Sequence, residues 1–166
     1  HPAQVARSPF VGREREIARL HSGIEMACGG RAQLVLIAGE PGIGKTRLTE
    51  ELVLRAADRM SVLVGRCFEG AGAPPFWPWV QILRAYAHAR DAGALRREMG
   101  TWAPDIAQIV PELHDRVSGL PPAPALDPAH ARFRVFEGVT SLLAAAARHQ
   151  PLMLVLGDIH WADRPS

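Results

Sequence analysis

Gly39-Glu40-Pro41-Gly42-Ile43-Gly44-Lys45-Thr46 is the stretch on which the reading of this chain turns. It fits G-x-x-x-x-G-K-[ST], the phosphate-binding loop. Its flanks fit too. The apolar run Leu34-Val35-Leu36-Ile37-Ala38 predicts a buried strand leading into the loop. After the loop, Leu48, Leu52, Ala56 and Met60 recur at helical spacing and predict one buried face. Strand, glycine loop and helix, in that order, is what phosphate binding requires. Gly39, Gly42 and Gly44 let the backbone take torsions that a side chain forbids. The N–H groups so released turn inward around phosphate oxygens, and the positive end of the new helix adds to the field. Lys45 is placed to reach the β- and γ-phosphates, and the Thr46 hydroxyl to ligate Mg²⁺. The expected nucleotide contacts are Gly39, Glu40, Pro41, Gly42, Ile43, Gly44, Lys45, Thr46 and Arg47. The competing reading is a glycine-rich turn followed by a chance Lys-Thr, and it leaves both flanks unexplained.

Composition bounds the rest. A chain of 166 residues is about one domain and buries about two thirds of its unfolded surface. A net charge of +2 gives no nucleic-acid footprint. Cys28 and Cys67 fit no metal or redox spacing and read as free thiols of a reducing compartment, so a cytoplasmic location is expected. No apolar run is long enough to span a membrane. The chain begins His1-Pro2 and stops at Ser166 just after a strong motif, which suggests a piece of a longer protein.

Residues 1–9 carry little pattern and are expected to form an extended arm before a domain over 10–166. A first helix follows Phe10-Val11-Gly12-Arg13-Glu14, with Ile17, Leu20, Ile24 and Ala27 in one stripe and Gly29-Gly30 at its end. The segment around Phe10–Gly12 reads as a turn that seats this helix or as a wall of an adenine pocket. Ser61–Arg66 predicts a second strand. A helical insertion is expected over about 68–129: one helix around Trp79, Leu83 and Tyr86 ending near Gly93, then Ala94–Met99 and Pro104–Leu113, then a Pro/Ala linker from Gly119 to Pro128. The aromatics Phe76, Trp77 and Trp79 read as a small core of the insertion or as a docking surface for an effector. His130–His149 predicts a long helix with Phe133, Phe136, Val139, Leu143 and Ala146 inside, stopped by Pro151. Leu152–Leu156 predicts a fully buried strand.

That strand runs into Gly157-Asp158, followed by Ile159-His160-Trp161-Ala162-Asp163. An acid at the end of an apolar strand is the usual Mg²⁺ partner of a phosphate loop, so Asp158 joins Thr46 as an expected metal ligand. His160 and Trp161 read as loop-fixing and packing residues.

Three segments together, Phe10–Glu14, Gly39–Thr46 and Asp158–Asp163, resemble the ATPase module of large bacterial transcriptional regulators, the STAND branch of the AAA+-like ATPases. Gly65-Arg66-Cys67 and Pro74–Val80 are also similar to members of that group, actinobacterial ones in particular. The resemblance covers Phe10 to Asp163. It implies a three-layer α/β phosphate-loop NTPase with a parallel sheet, cut after the Walker B strand. It also implies ATP or ADP with Mg²⁺ as ligands, Lys45 and Asp158 as the catalytic pair, and Val11, Gly12 and Arg13 lining the adenine site. The family carries LuxR-type or Streptomyces antibiotic-regulatory DNA-binding domains elsewhere in the chain, and related modules sit behind cyclase domains. Partners would then be the nucleotide, other domains of a longer chain including a DNA-binding one, and a second copy through self-association. One departure stands out: where the family has two adjacent acids, this chain has Gly157 before Asp158, which suits a slow switch. A small-molecule kinase and a nucleotide-binding scaffold without turnover are the alternatives. By the same resemblance, Leu34–Ala38 and Leu152–Leu156 are expected not to pair directly, since strands from beyond Ser166 would lie between and beside them.

Overall fold

The computed structural model describes residues 12–68 and 74–162. Phe10, Val11, Asp163, the 1–9 arm and part of the 69–75 loop lie outside the described residues. The chain divides into two compact units, 1–60 and 61–166.

The first unit is a helix pair. Helix α1, Glu14–Cys28, buries Leu20 and Ile24, and helix α2, Lys45–Ala56, buries Leu48, Leu52 and Ala56, with Met60 closing the end. The helical periodicity of both is the one read from the sequence. Arg59, past the end of α2, is hydrogen-bonded to the Glu25 carboxylate of α1. That bond holds the Glu25 carboxyl below its usual range. Leu34–Ala38 corrects an expectation. It forms no strand and is not buried: Leu34 is 98% exposed and Leu36 74%. A strand exists only through the ladder of a neighbour, and among the described residues none pairs with this segment. The expected ordering of this strand against Leu152–Leu156 therefore has no counterpart here.

The second unit carries the sheet. Strand β1, Ser61–Arg66, pairs in parallel with β2, Leu152–Gly157, in the register Ser61 to Leu152 and Arg66 to Gly157. β2 is not fully buried as expected, because Leu154 and Leu156 remain partly exposed on one face. Parallel strands need a crossover. Here it is a run of helices: α3 Trp77–His88, α4 Ala92–Met99, α5 Ala103–Ala107, α6 Leu113–Arg116 and α7 Pro128–Ala147. The predicted Pro104–Leu113 helix is broken, since Val110 and Leu113 each drop into the core from separate short turns. Residues 119–127 are irregular, as the Pro/Ala composition implies.

Two contacts set the packing. Pro78 in the first turn of α3 lies so close to β1 that a Cβ at Gly65 would sit 2.3 Å from the Pro78 carbonyl oxygen. A Cβ at Gly138 of α7 would meet Ile106 and Trp102 at 3.1 Å. On α7 the expected inner face holds for Val139 and Ala146, which are buried, and for Leu143, which packs on the core, but not for the two phenylalanines. α7 buries Val135, Gly138, Val139, Leu142 and Ala146, whereas Phe133 is 60% exposed and Phe136 meets Phe76 edge-on at 5.5 Å. The close approach at Gly138 turns the helix away from its two phenylalanines. Trp77 and Trp79 pack on the core, in line with the small-core reading of that group. Asp105, fully buried, accepts two bonds from Arg134 at 2.8 and 2.7 Å, and the guanidinium lies 4.9 Å over the Trp102 ring.

A second polar knot braces α3 and α4 against the end of α7. The Glu98 carboxylate accepts from Tyr86 at 2.7 Å and from Arg90, with His149 at 3.6 Å. Burial pushes the Tyr86 hydroxyl up to about 12, assisted by its bond to Glu98. For Glu98, burial opposes the charge, but the bonds from Arg90 and Tyr86 outweigh it and the carboxyl titrates below its ordinary 4.5. A depressed carboxyl contributes stability that is complete above its unfolded pKa and disappears as pH falls through the folded value.

Two outcomes follow. Gly65→Ala should lower unfolding stability by about 1–3 kcal/mol through overpacking against Pro78. Urea denaturation checks this, and a loss within error would mean that β1 and α3 separate easily. Glu98→Gln should be less stable than wild type at neutral pH, with the difference narrowing below pH 4.5. A gap in melting temperature unchanged between neutral and acid pH would exclude the carboxylate as its source.

Candidate functional site

The loop between Ala38 and α2 is shaped by its glycines. Gly42 and Gly44 take left-handed torsions, φ 78° and 93°. An L-residue pays a steric penalty there and glycine does not. Gly44 is also the N-cap of α2 and contributes no side-chain bond to the helix start. The first N–H groups of α2 have no partner within the helix, so this end is open toward an anion. Lys45 bends back over the loop: its ammonium donates to the carbonyls of Gly39 at 2.8 Å and Glu40 at 3.0 Å. The positive charge is thereby held at the mouth of the loop, beside the open helix end. Thr46 is exposed in the first turn of α2, and Arg47 lies 3.6 Å from Glu50.

Arg13 was expected to line a base site. Gly12 and Arg13 are both left-handed, φ 85° and 61°, and Arg13 is the N-cap of α1. Its guanidinium donates to the carbonyl of Ile43 inside the phosphate loop. This link spans thirty residues, and nothing in the local sequence pattern signals it. Beside it lies a cleft of about 470 Å³ lined by Gly12, Glu14, Ile17, Ala18, His21 and Arg55. Among the described residues, Gly12 of the expected adenine segment borders the cleft, while Arg13 and Gly39–Thr46 do not. Val11 lies outside the described residues.

Asp158 stands at the exit of β2 in the second unit. Its backbone is left-handed, φ 56°, and it is the N-cap of a single 3-10 turn, Ile159–Trp161, closed by the Trp161 N–H to the Asp158 carbonyl at 2.9 Å. Asp is among the few side-chain residues that tolerate this region. The side chain is exposed and follows the strand end, as the sequence pattern implies. The His160 and Trp161 rings lie 5.1 Å apart, tilted by 47°. At Gly157, a Cβ would meet only the Arg66 side chain, Cγ at 3.3 Å. The absence of an acid there is not forced by backbone crowding.

Among the described residues no group of three or more His, Cys, Asp or Glu side chains is placed to hold a metal. Among them, too, no helix is long and apolar enough to cross a membrane.

A family model described as AAA ATPase domain matches residues 9–166. An uncharacterized protein of Rhizobium meliloti (strain 1021) is 28% identical over 172 residues, covering 95% of this chain. The chain spans 16% of that relative's length. No solved structure gives a significant match.

Gly157→Asp should fold normally, with a stability change within about 1 kcal/mol, since the flexible Arg66 side chain has only to move aside. Thermal unfolding of the purified variant checks this. A large loss would show that Arg66 is locked in place.

Proposed function

We propose that this chain, which belongs to the AAA ATPase domain family and is a nucleotide-binding ATPase module, binds ATP or ADP with Mg²⁺ at Gly39–Thr46, hydrolyses ATP slowly and works as a nucleotide-dependent switch in a larger regulator. One observation carries the site: the Lys45 ammonium held over a glycine loop whose helix end is open. A polyphosphate arriving there exchanges two neutral carbonyl acceptors for charged oxygens, and charge-assisted bonds are about twice as strong. Bound Mg²⁺ would neutralise charge on the β- and γ-phosphates, with the Thr46 hydroxyl and the Asp158 carboxylate as its protein ligands. Lys45 and Asp158 are thus the residues assigned to turnover, and Gly39–Arg47 those assigned to binding. Val11 and Gly12 remain the proposed neighbours of the base, whereas the Arg13 guanidinium is bonded to the Ile43 carbonyl.

The regulator context rests on the resemblance of Phe10–Glu14, Gly39–Thr46 and Asp158–Asp163 to regulator ATPases. The much greater length of the Rhizobium relative is consistent with a module inside a long chain. In that reading the partners are further domains of the same protein, a DNA-binding domain among them, acting in the cytoplasm. Gly157 favours a second reading, a scaffold that binds nucleotide without turnover, because no second acid stands beside Asp158 to activate water.

Lys45→Ala should weaken Mg·ATP binding about 10- to 100-fold, the loss of one charged hydrogen-bonding group, while leaving the thermal transition in place. Calorimetry on wild type and variant decides it. Equal affinities would remove Lys45 from the site. Phosphate release by wild type above the Lys45→Ala background separates the switch from the scaffold.

A further inference from the structure

A loop that binds an anion through its N–H groups must turn its carbonyl oxygens elsewhere. Two cations hold three carbonyls of this loop: Lys45 holds those of Gly39 and Glu40, and Arg13 that of Ile43. The two roles differ. Lys45 belongs to the loop's own helix and can leave its carbonyls for phosphate. Arg13 comes from the start of α1 and acts on the one peptide whose N–H belongs to Gly44, the second fixed glycine of the motif. There are no cis peptides among the described residues. In a planar trans peptide the carbonyl and the following N–H point in opposite directions. A guanidinium that fixes the Ile43 oxygen therefore also fixes where the Gly44 N–H points. Gly44 has φ 93° and no side chain, so its own torsions restrain that peptide weakly. Something else has to.

We propose that Arg13 is a positioning residue of the phosphate loop, aiming the Gly44 N–H at the bound anion by holding the Ile43 carbonyl on the opposite side. It need not touch the nucleotide. The backbone at Arg13 fits this role. Arg13 is left-handed at φ 61°, and as N-cap of α1 its side chain makes no capping bond but reaches the loop instead. A long, planar, permanently charged donor suits a carbonyl thirty residues away better than a short capping residue would. The inference rests on the reading that Gly39–Thr46 binds nucleotide phosphate.

The test separates loop from base. In the full-length protein, calorimetry measures Mg·ATP and Mg·pyrophosphate, which has no base, against wild type, Arg13→Ala, Arg13→Lys and Lys45→Ala. If Arg13 works through the loop, Arg13→Ala loses affinity for both ligands by the same factor, about five- to tenfold for one misdirected donor. Arg13→Lys keeps a charge but not the planar fork, and should lose less, again equally for both. A loss for ATP with pyrophosphate unchanged would make Arg13 a base-site residue and overturn the proposal. So would unchanged affinity for both ligands in both variants. If Arg13→Ala melts early, Arg13→Lys carries the comparison. Failure of wild type to bind either ligand, with Lys45→Ala indistinguishable, would instead strike the nucleotide reading itself, and the proposal would fall with it.

Discussion

The hydrogen bonds from Lys45 to the carbonyls of Gly39 and Glu40 are the interaction on which the site depends. They place a full positive charge over a loop whose glycines have already taken left-handed torsions. They also occupy two carbonyl acceptors of the loop, and that of Glu40 accepts from the Ile43 N–H at 3.4 Å as well. Pro41 has no N–H, so the Glu40–Pro41 peptide has no donor to turn inward. The loop is thus held near its binding shape by bonds that can be exchanged. An exchange of partners costs less than the ordering of a disordered loop.

How much of this is legible in the sequence depends on where each feature's partners lie. Leu48, Leu52, Ala56 and Met60 are buried as their spacing indicates, because a helix makes its own hydrogen bonds and needs only one neighbour, here α1. Leu34–Ala38 has the composition of a strand but cannot be one alone, since all of its backbone bonds would go to other segments. The same reasoning separates the strands that were found. Ser61–Arg66 and Leu152–Gly157 have each other. On α7 the reading of the buried face followed the largest side chains, and the packing followed the smallest. Gly138 allows Trp102 and Ile106 to approach, and Phe133 and Phe136 rotate outward as a consequence. Hydrophobic periodicity weighs a glycine as nothing, although close backbone approach is what a glycine permits. The Arg13–Ile43 bond and the Asp105–Arg134 pair were likewise invisible, being contacts over 30 and 29 residues between types that are ordinary at those positions.

The helices between β1 and β2 matter to the site through α7. Arg134, in its first half, is tied to the buried Asp105, and the Glu98 knot receives His149 just after its end. Asp105 is fully buried, so its charge depends on the Arg134 partner. α7 is therefore held at Arg134 and just past its end, and four residues separate it from the start of β2 at Leu152, where the Pro151 carbonyl accepts from Ser61 at 2.8 Å.

Gly157 sharpens the choice between motor and switch. The residue is not required by its surroundings, because a Cβ there would touch only the Arg66 side chain. Its left-handed neighbour Asp158 already makes the turn out of the strand. One carboxylate at the strand end and a loop held by exchangeable bonds fit the proposed switch, which does not require rapid turnover.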